Sequence, residues 1–192
     1  MDIPLDLTNM KIETDRLTLR PFCESDLQDF YTYASVPGVG EMAGWPHHSS
    51  IETTQTVLNM FLESKDVFAI YHKADAKVIG SLGLHNNPHS WANEDERYSH
   101  LRLKEIGYVL SKDYWGQGLI PEAVKAVIAY GFDKLGFEAF SCAHFVENYQ
   151  SRRVIEKCGF VFVGEDKYYS KLMDKYFDDM TYILLRDKEA SL

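Results

Sequence analysis

The chain has 192 residues, of which 45% are apolar and 26% charged, the composition of a globular protein with one core and too short for two ordinary domains. Twenty Lys and Arg stand against 29 Asp and Glu, a formal charge of -9, so the basic footprint of a nucleic-acid binder is missing. No apolar run approaches the roughly 18 residues of a membrane span. The opening MDIPLDLTNMKIETD has neither a basic head nor an apolar signal region, so no membrane partner and a cytoplasmic address are expected. Cys23, Cys142 and Cys158 have no CxxC spacing and read as reduced thiols.

In chain order, Arg16 to Pro21 alternates polar and apolar residues and predicts a strand that Pro21 ends or places at an edge. Ser25 and Gln28 have capping-box spacing before Leu27, Phe30, Tyr31 and Ala34, an amphipathic helix. Ser49 and Glu52 repeat that spacing before the stripe Val57, Leu58, Phe61 and Leu62. A Gly/Pro-rich loop, residues 37–48, separates the two helices. Val67 to His72 and Val78 to Leu84 read as a hairpin joined by residues 73–77. The polar run 85–100 reads as a loop of functional length.

Leu101 to Leu110 follows as a strand, Pro121 to Leu135 as a helix, and Ala139 to Val146 as a strand. Ser151 to Lys157 reads as a short helix stopped by Gly159, and Phe160 to Val163 and Met180 to Leu185 as the last strands. This order predicts a mixed α+β or α/β chain around a partly parallel sheet, in a single domain spanning 1–192 with an extension at 1–11 and a tail at 187–192.

The chemistry concentrates in Tyr114-Trp115-Gly116-Gln117-Gly118-Leu119-Ile120-Pro121-Glu122. A strand runs into a Gly-x-Gly turn that opens a helix, with Pro121 near its first position, so unpaired N–H groups and the positive helix end converge on one spot. Such a turn suits an anion. Equally, the glycines could serve only positive φ in a plain connection. Neither a Walker pattern nor GxGxxG fits. Further on, Asn148-x-x-Ser151 opens the short helix, and either residue suits its N-cap.

Taken together, Tyr114-Trp115-Gly116-Gln117-Gly118 with Glu122, Asn148-x-x-Ser151, and Glu156-Lys157-Cys158-Gly159-Phe160 resemble the GNAT superfamily of acetyl-CoA-dependent N-acetyltransferases. The chain is similar to the Rim-like ribosomal-protein N-terminal acetyltransferases within it, from about Ile12 to about Arg186. The superfamily often has Gln or Arg three residues before the first glycine, where this chain has Asp113. The resemblance implies a central, mostly antiparallel sheet of about seven strands with a parallel splayed pair, flanked by about four helices.

It also implies that main-chain N–H groups from Gln117 to Ile120, around Gly116, Gly118 and Leu119, cradle the pyrophosphate of acetyl-CoA. Val109 and Leu110 would pair with the pantetheine arm, Asn148 would bond it near the thioester, and Ser151 would protonate the leaving thiolate. Trp45 and His48 fall in the loop that lines the acceptor entrance, although packing explains Trp45 as well. The implied reaction is direct attack by an amine in a ternary complex. A ribosomal-protein or peptide N-terminus is the expected acceptor, with no metal cofactor. A small amine such as a polyamine or aminoglycoside, or a non-catalytic acyl-CoA-binding module, are the alternatives. A monomer or a homodimer fits equally.

Alternation places Glu105 with Leu101, Leu103 and Val109, an apolar face that would raise a carboxyl and suit it as the base; pairing with Lys104 or Arg102 is the other reading. Glu122 and Glu147 are weaker candidates. Cys142 and His144 share a strand face but sit about 6.6 Å apart along it, so packing is expected. His85 and His89 have i, i+4 spacing, yet Pro88 and the Asn86-Asn87 pair argue against a helix and hence a metal site.

Overall fold

The computed structural model describes residues 4–89 and 91–187. Eight strands form one sheet: β1 (Ile12–Glu13), β2 (Leu17–Pro21), β3 (Val67–His72), β4 (Lys77–His85), β5 (Leu103–Leu110), β6 (Ala139–Phe145), β7 (Val161–Ser170) and β8 (Lys175–Leu185). Their spatial order is β1-β2-β3-β4-β5-β6-β8-β7, and every neighbouring pair is antiparallel except β5 with β6. The expected sheet is therefore present, with the two-residue β1 added at one edge.

Helices α1 (Leu27–Ala34) and α2 (Ile51–Ser64) cover one face; α4 (Leu119–Lys134) and α5 (Tyr149–Lys157) cover the other. A single turn, α3 (Trp91–Glu94), lies within the stretch read as a loop. On the α4 face, Leu17, Leu19, Ile106 and Leu110 pack with Ile120, Val124 and Val127; on the α1 face, Phe22, Val67, Ala69 and Val78 meet Phe30 and Leu58. Each buried aliphatic or aromatic side chain contributes about 1.5–3 kcal/mol. Leu7, within the stretch read as an extension, is 1% exposed, and its N–H donates to Lys65 O, so Leu7 joins the core.

Both capping boxes shift. Asp26, not Ser25, organises the entry to α1: its carboxylate accepts from Cys23 N–H at 2.9 Å and twice from Arg20 at 2.7 Å. Charge-assisted bonds are stronger than a serine cap can make, so a short 3₁₀ turn over Glu24–Asp26 precedes the helix. At α2, Ser50 rather than Ser49 accepts the Thr53 N–H. Pro21 is the last residue of β2, opposite Phe68 of β3 and beyond the pairs that β1 makes, so it ends the strand.

The largest difference is the terminal hairpin. Instead of two short strands, β7 and β8 pair from Val161↔Ile183 to Ser170↔Lys175. Residues 164–179 lack a continuous apolar face, and the pairing is held by cross-strand contacts such as Tyr169 with Tyr176, rings 4.8 Å apart, and by Phe177 stacked 4.1 Å from Phe145 of β6.

Candidate active site

β5 and β6 run side by side only over Leu103↔Ala139, Lys104↔Phe140 and Glu105↔Ser141. Beyond that register Ile106–Leu110 stays with β4, while Cys142–Phe145 stays with β8, so the sheet opens into a V with its vertex at Glu105. Backbone groups lining such an opening can accept an extended ligand as an added strand. Val109 and Leu110 lie on its β5 wall, at the end that leads into the glycine turn.

That turn follows a 3₁₀ turn over Lys112–Tyr114. Gly116 has φ 75° and Gly118 φ 76°, values where any other residue is strained, and a Cβ at Gly116 would meet nothing within 4 Å. The first bond of α4 runs from Glu122 N–H to Gly118 O, so the N–H groups of Leu119 and Ile120 precede the helical ladder. Arg16 fastens the turn: its Nη1 donates to Gln117 O at 2.9 Å, and its Nε and backbone N–H donate to Glu122 at 2.7 and 3.0 Å. Thr14 Oγ1 donates to the same carboxylate at 2.6 Å. Glu122 is therefore held ionised below its usual range, against its partial burial, by Thr14 and Arg16. It is an anchor and not a free base.

On the α4 face of the V, Tyr108 Oη lies 2.8 Å from Ser151 Oγ. Burial lifts the Tyr108 phenol well above its ordinary range, so the pair is neutral and carries protons. Asn148 Oδ1 accepts the Ser151 N–H at 3.1 Å, making Asn148 the N-cap of α5 and leaving the serine hydroxyl for Tyr108. The Asn148 amide also donates to Met42 O at 3.3 Å. Ser170 Oγ donates to Gly44 O at 2.6 Å and Lys112 Nζ to Pro37 O, so the 37–48 loop is tied to both sides of the opening.

Of the residues expected in that loop, Trp45 is half-buried with its ring 5.1 Å from His48. His48 is 6% exposed; its Nδ1 lies 2.8 Å from Thr54 Oγ1, its ring packs on Phe30, and burial pushes it below the ordinary imidazole value. The structure thus places His48 in the α1–α2 core, whereas the resemblance put it in the loop at the acceptor entrance. Cys142 and His144 are buried as packing predicts, with His144 bonded to Phe145 O and Tyr182 Oη.

Glu105 does share a face with Leu103 and Val109, but its surroundings are not simply apolar. His89 lies against it, with Nε2 3.4 Å from Glu105 Oε1, while Lys104 Nζ donates to Asn86 Oδ1 and the Arg102 guanidinium donates to Gly136 O and Leu135 O. His89 Nδ1 lies 2.8 Å from Asp166 Oδ2, and Nε2 3.9 Å from Asp179 Oδ2. One 5%-exposed imidazole therefore bridges β5, β7 and β8. Burial alone would lower it, yet Glu105, Asp166 and Asp179 hold it up at about 9. Burial, with Glu105 and Asp166 adding to it, pushes Asp179 up to about 7 despite the opposing imidazolium. Asp166 stays below its usual range, its partial burial outweighed by the His89 bond.

Sequence spacing had no means of bringing these four residues together. His85, the other member of the i, i+4 pair, lies instead against Asp66, at 3.1 Å. Among the described residues no group of three or more His, Cys, Asp or Glu has the arrangement of a metal site.

A family model described as an acetyltransferase (GNAT) domain matches residues 16–161. The chain belongs to the GNAT acetyltransferase family. Its V-shaped opening, glycine turn and α4 start suit an acyl-CoA thioester, and its reaction class is acetyl transfer from acetyl-CoA to nitrogen. This GNAT chain is 27% identical over 183 residues to the Bacillus subtilis (strain 168) protein named Uncharacterized N-acetyltransferase YoaA, covering 93% of this chain and 98% of that one. Among solved structures it resembles the ribosomal-protein-S5-alanine acetyltransferase of Vibrio fischeri, with TM-score 0.71, 21% identity, and 94% and 98% of the two chains covered. It is also similar to spermidine N-acetyltransferase of Vibrio cholerae in complex with CoA and spermine, with TM-score 0.71, 19% identity, and 93% and 100% covered. No helix of the described residues is long and apolar enough to cross a membrane.

Proposed function

We propose that this acetyltransferase acts on the α-amine of a protein or peptide N-terminus, by direct attack on acetyl-CoA bound in the V. The N–H groups from Gln117 to Ile120 and the glycines 116 and 118 receive the pyrophosphate, Val109 and Leu110 pair with the pantetheine arm, Asn148 bonds it near the thioester, and Ser151 supplies the thiolate's proton. Trp45 borders the acceptor entrance.

The observation that carries the reading is the split of β5 from β6 at Glu105, with the glycine turn at one end and the carboxylates of Glu105 and Asp179 at the other. From Leu110 back to Glu105 is about 17 Å at 3.3 Å per residue, so a ligand anchored at the turn can reach the vertex. An α-amine near 8 needs only a weak base, whereas an amine near 10.4 costs roughly 3 kcal/mol more to deprotonate at the same pH. A small polyamine is the second reading, supported by the carboxylates Glu165, Asp166, Asp178 and Asp179 around one cavity.

A thiol-release assay with acetyl-CoA, comparing a free tetrapeptide, its N-acetylated form and spermidine, tests this. Turnover of the free peptide alone is expected. Turnover of spermidine alone would overturn the α-amine reading.

A further inference from the structure

We propose that Asp179 receives the acceptor's ammonium group and takes its proton, with His89 and Asp166 as positioning residues. This rests on the acetyltransfer reading above, but on observations separate from the coenzyme turn. Asp179 is 5% exposed at its side chain, yet its Oδ1 has no hydrogen-bond partner among the described residues. The same residue lines a cavity of about 290 Å³ at the middle of the β7–β8 ladder, together with Val146, Glu165, Asp166, Lys167 and Asp178. A buried carboxylate oxygen left unpaired is costly unless something else fills its valence. A primary ammonium, with three donors and a positive charge, is the group of matching chemistry.

The other candidates for the proton are committed. Glu105 faces His89 Nε2, and Asp166 holds His89 Nδ1, so both carboxylates serve the imidazolium. Asp179 faces that imidazolium at the longest of the three distances, with Glu105 across from it on β5, and Asp166 and Tyr168 beside it on β7. His89 holds the three carboxylates of β5, β7 and β8 in one place without occupying Oδ1. Its protonated ring offsets their mutual repulsion while the amine arrives.

The protons balance as follows. The ammonium gives one proton to the Asp179 carboxylate, and the freed lone pair forms a bond from nitrogen to the thioester carbonyl carbon. The carbonyl π pair moves to oxygen and returns as the carbon–sulfur bond breaks, with that bond's electrons leaving on the CoA sulfur. The second nitrogen proton is lost as the amide forms. Its equivalent reaches the sulfur through the Ser151 hydroxyl, and Asp179 then returns its proton to solvent.

Four full-length proteins test the assignment: wild type, Asp179→Asn, Glu105→Gln and His89→Gln. Each is assayed by CoA-dependent thermal shift and by thiol release with a tetrapeptide and with spermidine from pH 5.5 to 9. Asp179→Asn is expected to bind CoA as wild type does, to lose 100-fold or more in kcat, and to lose the acidic limb of the kcat/KM profile. His89→Gln should move that limb, a change that loss of packing alone would not produce. A limb that persists in Asp179→Asn and vanishes in Glu105→Gln would overturn the proposal.

Carboxyl ¹³C titration of Asp179 with and without spermidine or the tetrapeptide gives a readout that needs no turnover. An amine-induced fall in its midpoint supports the assignment, and a midpoint that neither amine moves refutes it. Loss of CoA binding in the wild type would instead refute the acetyltransfer reading itself.

Discussion

Asp179→Asn should make the folded chain more stable, and the gain should depend on pH in a defined direction. The carboxyl moves from 3.8 to about 7 on folding, because burial and the charges of Glu105 and Asp166 disfavour its ionised form. A shift of about three units at 1.36 kcal/mol each corresponds to roughly 4 kcal/mol. The cluster is coupled and the substitution withdraws part of the support for the His89 charge, so a gain of about 2 kcal/mol is the working figure. The folded carboxyl holds its proton above the pH at which the unfolded one loses it. The penalty is therefore absent near pH 4, grows as pH rises toward 7, and is constant above that. Urea denaturation followed by tryptophan fluorescence at pH 4.5 and 8 measures both ends. Little change at pH 4.5 and a clear gain at pH 8 are expected. A loss of stability at pH 8 would mean that the ionised Asp179 stabilises the cluster as an ion-pair partner of His89, and the account of its burial would fail.

Other outcomes follow from single contacts. Gly118→Val places a β-branched residue at φ 76°, a cost of about 1–2 kcal/mol, and puts a side chain at the proposed diphosphate site; KM for acetyl-CoA should rise tenfold or more with a smaller effect on saturated kcat. Since Asn148 caps α5, Ser151→Ala should leave the melting temperature within a few degrees while lowering kcat about 100-fold; a wild-type kcat would return the serine to a packing role. Tyr108→Phe removes the partner of that hydroxyl and should lower kcat less than Ser151→Ala does. Asp26→Asn breaks the two-bond pair with Arg20 and should cost about 2–3 kcal/mol at pH 7. Arg20 and the Cys23 N–H lower the folded Asp26 value despite burial, so that stability is present above 3.8 and lost as pH falls through the lower folded value. Melting curves from pH 7 to 2.5 should show wild type and variant converging only at the acid end.

The geometry of the proposed coenzyme side was legible because its signals are local. Gly116 and Gly118 with the start of α4 fall within a few residues of one another, as do Asn148 and the Ser151 it caps, and each leaves a residue-type signature. The acceptor side is non-local. His89 comes from a polar segment, Glu105 from a central strand, and Asp166 and Asp179 from a hairpin whose pairing alone sets them opposite one another. Nothing in the spacing of those four residues distinguishes them from solvated surface charge. The same hairpin was shortened in the sequence reading because its outer half lacks the apolar alternation that announces a strand. His48 misled for a related reason: an imidazole beside Trp45 in a loop looks exposed until Phe30 and Thr54 close around it.

The two halves of the site meet through the alternation of β5. Ile106, Tyr108 and Leu110 turn to the α4 side, while Leu103 and Glu105 turn to the face that carries His89, and Val109 packs toward α1 and α2. In the proposed mechanism a thioester passing through the V would have the hydroxyl pair Tyr108 and Ser151 on one side of the sheet and the carboxylate group of Asp179 on the other. Removing a proton from nitrogen and adding one to sulfur need groups of opposite affinity, and the sheet itself keeps them from neutralising one another. Because side chains alternate with period two, a slip of β5 by one residue would exchange the faces. That register is fixed by six pairs with β4, from Gly80↔Leu110 to His85↔Glu105, and only three with β6. The β4 side therefore holds the alignment of β5, which leaves the β6 side open where the proposed coenzyme would lie.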